Sequence, residues 1–123
     1  MGQMEPIRPI ALIVEDDQTQ RDLLSVLLEE SDMHVIQCES AEAAVIVLER
    51  SGGCLALLFT DVDLAGQMDG IELAYVAKRR FPDLNVIVTS GTPRVRRLPD
   101  GTSFMAKPWT PLDVLREAEK SLH

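Results

Sequence analysis

Short apolar runs that end on polar residues constrain this chain more than any other feature. Ile10–Val14 runs into Glu15, Asp16 and Asp17, and Leu55–Thr60 runs into Asp61. Val86–Thr89 runs into Ser90, and Phe104–Ala106 runs into Lys107 and Pro108. A further run, Val35–Cys38, lies between the first two. Each is as short as a strand and apolar almost throughout, the pattern of strands buried on both faces of a parallel sheet. If they are parallel strands, an acidic cluster, a single carboxylate, a hydroxyl and a lysine meet at one edge of one sheet. Such a set suits a divalent cation and a phosphoryl group.

Between the runs lie stretches with helical spacing and end signals. Leu23, Leu24, Leu27 and Leu28 form one stripe, opened by Asp17 and Gln20 as a cap pair. Ser40 caps a second helix with Ala41, Ala44, Val45 and Leu48 inward, stopped by Gly52-Gly53. Asp69 and Glu72 open a third through Ala74, Ala77 and Phe81, and Pro82 stops it. Thr110 and Pro111 open a last helix that buries Leu112, Leu115, Ala118 and Leu122. The stretch 91–102 carries Pro93, Pro99 and Gly101 and is rich in arginine, so the helix expected there is short or missing. Alternating strands and helices imply right-handed crossovers, a parallel sheet and helices on both faces. Ligands then bind beyond the carboxyl ends of the strands.

A chain of 123 residues is one domain by size. Its 12 Lys and Arg against 20 Asp and Glu leave a net charge of −8, which disfavours direct nucleic-acid binding. The basic clusters Lys78-Arg79-Arg80 and Arg94–Arg97 are read as solvated surface. Cys38 and Cys54 have no zinc or disulfide spacing and are read as buried or half-buried thiols in a reducing cytoplasm. No apolar stretch is long enough to cross a bilayer, so no membrane role is expected. Residues 1–9 read as a loose leader and 10–123 as the domain.

Five motifs in order now carry a resemblance: Val14-Glu15-Asp16-Asp17, Asp61-Val62-Asp63-Leu64, Met68-Asp69-Gly70-Ile71-Glu72-Leu73, Val88-Thr89-Ser90-Gly91 and Lys107-Pro108. From Ile10 onward the chain resembles the receiver domain of bacterial two-component response regulators. The resemblance implies a flavodoxin-like, doubly wound five-stranded sheet of order 2-1-3-4-5. It implies that Asp61 is the phosphoacceptor, and that Glu15, Asp16, Asp61 and the backbone carbonyl of Asp63 hold Mg²⁺. Ser90 takes the part of the switch hydroxyl, Lys107 that of the phosphate-contacting lysine, and Phe104 the aromatic switch position. The implied phosphodonor is a histidine kinase or histidine phosphotransfer protein. The implied activity is self-catalysed phosphorylation and dephosphorylation without turnover of a substrate, and the family also suggests a cis Lys107–Pro108 bond.

The same residues have plainer readings. Asp17 is read as a helix cap rather than a ligand, because Gln20 is in place. Ser90 before Gly91 could cap a turn, and Lys107 could be an ordinary surface lysine. Three adjacent acids directly after a buried strand fit a solvated loop poorly. Asp61-Val62-Asp63 also fits the signature of haloacid-dehalogenase-type phosphatases, but there the metal acids come late in the chain, and here they come first. A degenerate receiver acting only as a protein-binding module is the alternative function.

Two departures from the family pattern stand out. Lys107 follows Ser90 by only 17 positions, where most receivers fit a full helix. The loop from Asp61 to Gly70 carries what reads as one extra residue near Gln67. With the reduced fourth helix, the Thr89-Ser90-Gly91 and Lys107-Pro108-Trp109 pieces resemble receivers attached to hybrid histidine kinases, or small stand-alone ones.

Overall fold

The computed structural model describes residues 7–92 and 96–122. The elements run β1 (Ile10–Val14), α1 (Gln18–Glu30), β2 (His34–Cys38), α2 (Ala41–Ser51), β3 (Leu55–Asp61), α3 (Gly70–Arg80), β4 (Asn85–Ser90), β5 (Thr102–Ala106) and α4 (Pro111–Lys120). A short 3₁₀ turn at Gly52–Cys54 joins α2 to β3. All strand pairs are parallel, and the sheet order is β2-β1-β3-β4-β5. This is the doubly wound order expected from the sequence.

Side-chain alternation along the strands builds two cores, one on each face. Ala11 and Ile13 of β1, Leu57 and Phe59 of β3 and Ile87 of β4 meet Leu24, Leu27 and Leu28 of α1 and Val114 and Ala118 of α4. Leu12, Val14, Leu58, Val86 and Val88 face the other way, against Ala41, Ala44 and Leu48 of α2 and Ile71, Ala74 and Ala77 of α3. The three central strands are therefore apolar on both faces. The edge strands are not: most of β2 and β5 is exposed or half-buried, so the expectation of burial on both faces fails at the edges. An edge strand has a neighbour on one side only and is covered less by the helices.

The helix caps follow the sequence closely. Asp17 accepts from the Gln20 amide at 3.0 Å, but its own amide donates to Glu15 Oε2, so the reciprocal half of that box is absent. Asp69 with Glu72 and Thr110 with Asp113 form complete capping boxes. Two helix stripes are turned from where the spacing put them. On α1, Leu23 is exposed and Ser25 is buried, because the stripe centres on Leu24 and Leu28 and the Ser25 hydroxyl bonds back to the Arg21 carbonyl at 2.8 Å. On α4, Leu112 is exposed and Val114 is buried, since Val114 and Ala118, four apart, define the inward face.

Other expectations are corrected. Cys38 is buried, but Cys54 is exposed at the end of the 3₁₀ turn. Lys78 is not simply solvated surface; its ammonium donates to the Pro82 and Leu84 carbonyls and closes the α3–β4 turn. Between β4 and β5 the described residues contain no helix, and residues 93–95 lie outside the described part. Residues 96–98 lie along α3 instead. Arg96 pairs with Asp69, the Tyr75 hydroxyl donates to the Arg97 carbonyl at 2.7 Å, and Leu98 packs onto the α2–α3 core. Pro9, assigned to the leader, joins the sheet edge through its carbonyl, which accepts from the His34 amide. Residues 1–6 of the leader lie outside the described residues.

Candidate phosphoryl and cation site

The strand ladders position the site. Val14 pairs with Thr60, Asp61 with Thr89, and Ser90 with Ala106. The ladders continue one step past the strands, through Glu15 N–H to Cys38 O, Val62 N–H to Thr89 O and Lys107 N–H to Ser90 O, at 2.9–3.1 Å. Glu15, Asp61, Ser90 and Lys107 therefore share the carboxyl edge of the sheet. Glu15 directly follows β1 and Asp61 ends β3, and the strand order reverses between these two strands.

Lys107 Nζ donates to Asp61 Oδ2 at 2.8 Å and to Glu15 Oε1 at 3.3 Å. The other Asp61 oxygen, Oδ1, accepts from the Asp63 amide at 3.2 Å. Asp61 is only 6% exposed, so its carboxylate is held on both sides within a shielded pit. Oxygen atoms of Glu15, Asp16 and Asp61 lie within 4.8 Å of one another. An all-oxygen, all-carboxylate set suits a hard divalent cation such as Mg²⁺.

The electrostatics follow from this crowding. Burial, with the Asp16 side chain and the Asp61 charge, pushes Glu15 up to about 7 despite the Asp17 amide and Lys107. Burial pulls Lys107 down, but the hydrogen bond and charge of Asp61 and the charge of Glu15 together hold it above its ordinary value. The lysine therefore remains an ammonium at neutral pH.

The remaining expected residues are placed unevenly. Ser90 is buried, and its hydroxyl accepts from the Thr92 amide at 3.0 Å. Phe104 lies on β5 opposite Val88 and is 38% exposed, at the edge rather than in the pit. The Asp63 side chain is exposed, while its amide bonds Asp61. Asp17 acts as the α1 cap. The Lys107–Pro108 bond is cis. Trp109 is half-buried beside it, edge-on to Phe59 with ring centroids 6.5 Å apart.

Several supporting residues were missed in the sequence. Arg21 donates to the Glu15 carbonyl at 2.8 Å and to Gln37, steadying the acidic turn. The buried Thr60 hydroxyl donates to the Asp61 carbonyl at 2.9 Å. Gly70 is required by close approach, since a Cβ there would stand 1.8 Å from the Asp61 carbonyl oxygen. Glu42, on α2, accepts from the Gln67 and Met68 amides. Only Gly70, inside a recognised motif, carried a sequence signal; the others depend on contacts between distant elements.

The fold and this edge define a receiver-type α/β domain. Residues 11–117 match the response regulator receiver domain family, and the chain belongs to it. It is 33% identical over 116 residues to the response regulator receiver protein CpdR of Brucella abortus, covering 90% of this chain and 94% of that one. The crystal structure of the receiver domain from the hybrid histidine kinase CckA superposes with a TM-score of 0.81 at 26% identity, covering 93% of this chain and 99% of that one. A CheY-like receiver domain protein from Methanospirillum hungatei has the same fold, with a TM-score of 0.84 at 24% identity over 94% of each chain. The described residues include no helix long and apolar enough to cross a membrane.

Proposed function

We propose that this receiver domain accepts a phosphoryl group on Asp61 from a histidine kinase or histidine phosphotransfer protein. The observation that carries the reading is the Asp61 carboxylate, buried and held between Lys107 Nζ and the Asp63 amide, with two further acids in reach. An Asp61 oxygen attacks phosphorus and forms the new P–O bond. The P–N bond of the donor phosphohistidine breaks, and its electron pair returns to the imidazole nitrogen. Lys107 neutralises a phosphoryl oxygen as a point charge, and the Ser90 hydroxyl donates to another once it turns from the Thr92 amide. Mg²⁺, when held by Glu15, Asp16, Asp61 and the Asp63 carbonyl, supplies charge neutralisation between the two anions.

Hydrolysis of the acyl phosphate resets the domain, so it is a switch rather than a turnover enzyme. The phosphoryl charge shifts the population of surface states read by a downstream partner. Both cysteines are free thiols, which suits a reducing cytoplasm.

Intact mass spectrometry after incubation with acetyl phosphate and Mg²⁺ tests this. One phosphoryl group is expected, absent from Asp61→Asn and absent with a chelator. A folded wild-type protein that gains none with acetyl phosphate or with a phosphorylated histidine donor would be a binding module instead.

A further inference from the structure

Glu42 sits in the first turn of α2, away from the acidic pit, and its carboxylate reaches across to the β3–α3 loop. Its Oε2 accepts from the Gln67 amide at 3.0 Å and from the Met68 amide at 2.9 Å. These are contacts between residues 25 and 26 positions apart, so they tie two separate crossovers together. Hydrogen bonds from its own amide and from Met68 hold the carboxyl below its usual range, so it is charged at neutral pH. Gly66 completes the seat. Its φ of +106° turns the loop, and a Cβ there would stand 2.7 Å from Glu42 Oε1.

The two ends of this loop are fixed independently. At the helix end, the Gly70 amide donates to the Val62 carbonyl at 2.9 Å, and Gly70 packs on the Asp61 carbonyl. At the strand end, the Asp63 amide donates to Asp61 Oδ1. Between these anchors the loop is exposed or half-buried. Glu42 is the side chain that holds its middle, through the Gln67 and Met68 amides.

We propose that Glu42 is a positioning residue for the phosphoacceptor site. By clamping Gln67 and Met68 it holds the loop so that the Asp63 amide orients Asp61 and the Asp63 carbonyl faces the cation. The inference rests on the function proposed above. Glu42 touches neither the phosphoryl group nor the cation and acts through the loop backbone.

The test compares wild type, Glu42→Ala and Glu42→Gln, each shown by circular dichroism to be folded. Calorimetry gives the Mg²⁺ Kd, and amide hydrogen exchange reports on Asp63, Gln67 and Met68. Glu42→Ala is expected to weaken Mg²⁺ about three- to tenfold, at or below the low end of outer-shell effects. It should also speed exchange at all three amides. Glu42→Gln keeps an acceptor oxygen and is expected to restore most of the affinity. Faster exchange confined to Gln67 and Met68, with an unchanged Mg²⁺ Kd, would make Glu42 a structural clamp only and overturn the proposal. A wild type that binds Mg²⁺ and is phosphorylated, beside an Ala variant that does both equally well, would overturn this inference alone. A wild type that does neither would overturn the receiver chemistry and this inference with it.

Discussion

Lys107 Nζ lies 2.8 Å from Asp61 Oδ2, although the two residues are 46 positions apart. Both side chains are largely shielded, with 21% and 8% of their surface exposed. The ammonium also touches Glu15, so one cation balances two buried acids. Because the Lys107 pKa is raised, this contribution is present at neutral pH and is lost only as pH rises through the raised value. Lys107→Ala leaves both acids unpaired, at a cost of about 1–3 kcal/mol, reduced by partial solvent access. The expected result at pH 8 is a lower Tm without metal and a smaller deficit with saturating Mg²⁺. Equal deficits with and without Mg²⁺ would count against a cation among these acids.

Glu15 gives the site a pH dependence. Its folded pKa of about 7 lies above the ordinary 4.5, so the metal-free folded protein binds this proton more tightly than the unfolded chain. The resulting stability is fully present below about 4.5 and is lost as pH rises through about 7. A cation needs the deprotonated carboxylate, so Mg²⁺ affinity changes in the opposite sense. It is expected to strengthen about tenfold from pH 6 to pH 8, with proton release falling from about 0.9 per ion at pH 6 to about 0.1 at pH 8. Calorimetry in buffers of different ionisation enthalpy reads both quantities. A pH-independent Kd would show that Glu15 is not a ligand.

Gly70 inverts the usual helix preference. Replacing a helical glycine with alanine ordinarily stabilises by about 1 kcal/mol. Here the added Cβ would meet the Asp61 carbonyl oxygen at 1.8 Å and the Thr60 hydroxyl at 3.0 Å. Gly70→Ala is expected to destabilise by about 1–3 kcal/mol, because backbone must shift to admit it. Urea unfolding measures this, and a neutral or stabilising result would mean that α3 starts further from β3.

Much of the candidate site was legible because parallel pairing is regular. Once Ile10–Val14, Leu55–Asp61, Asn85–Ser90 and Thr102–Ala106 are neighbouring parallel strands, the residues after them must share an edge. The caps were legible for a similar reason, since Asp69 with Glu72 and the Thr110 cap act within one helical turn, although the Asp113 half of the second box was not read from the sequence. Leu23 and Leu112 were misplaced because helical spacing gives a stripe but not its rotation toward the sheet.

The sequence by itself determined the strand and helix order, the family, and the residues gathered at the carboxyl edge. These follow from local periodicity, from end signals and from motifs in a set order. Only the tertiary structure decided that Lys107 spans Asp61 and Glu15, that Arg96 and Tyr75 tie the β4–β5 connection to α3, and that Glu42 holds the β3–α3 loop. Those contacts join elements far apart in the chain, and their geometry depends on how two packed layers settle against one sheet.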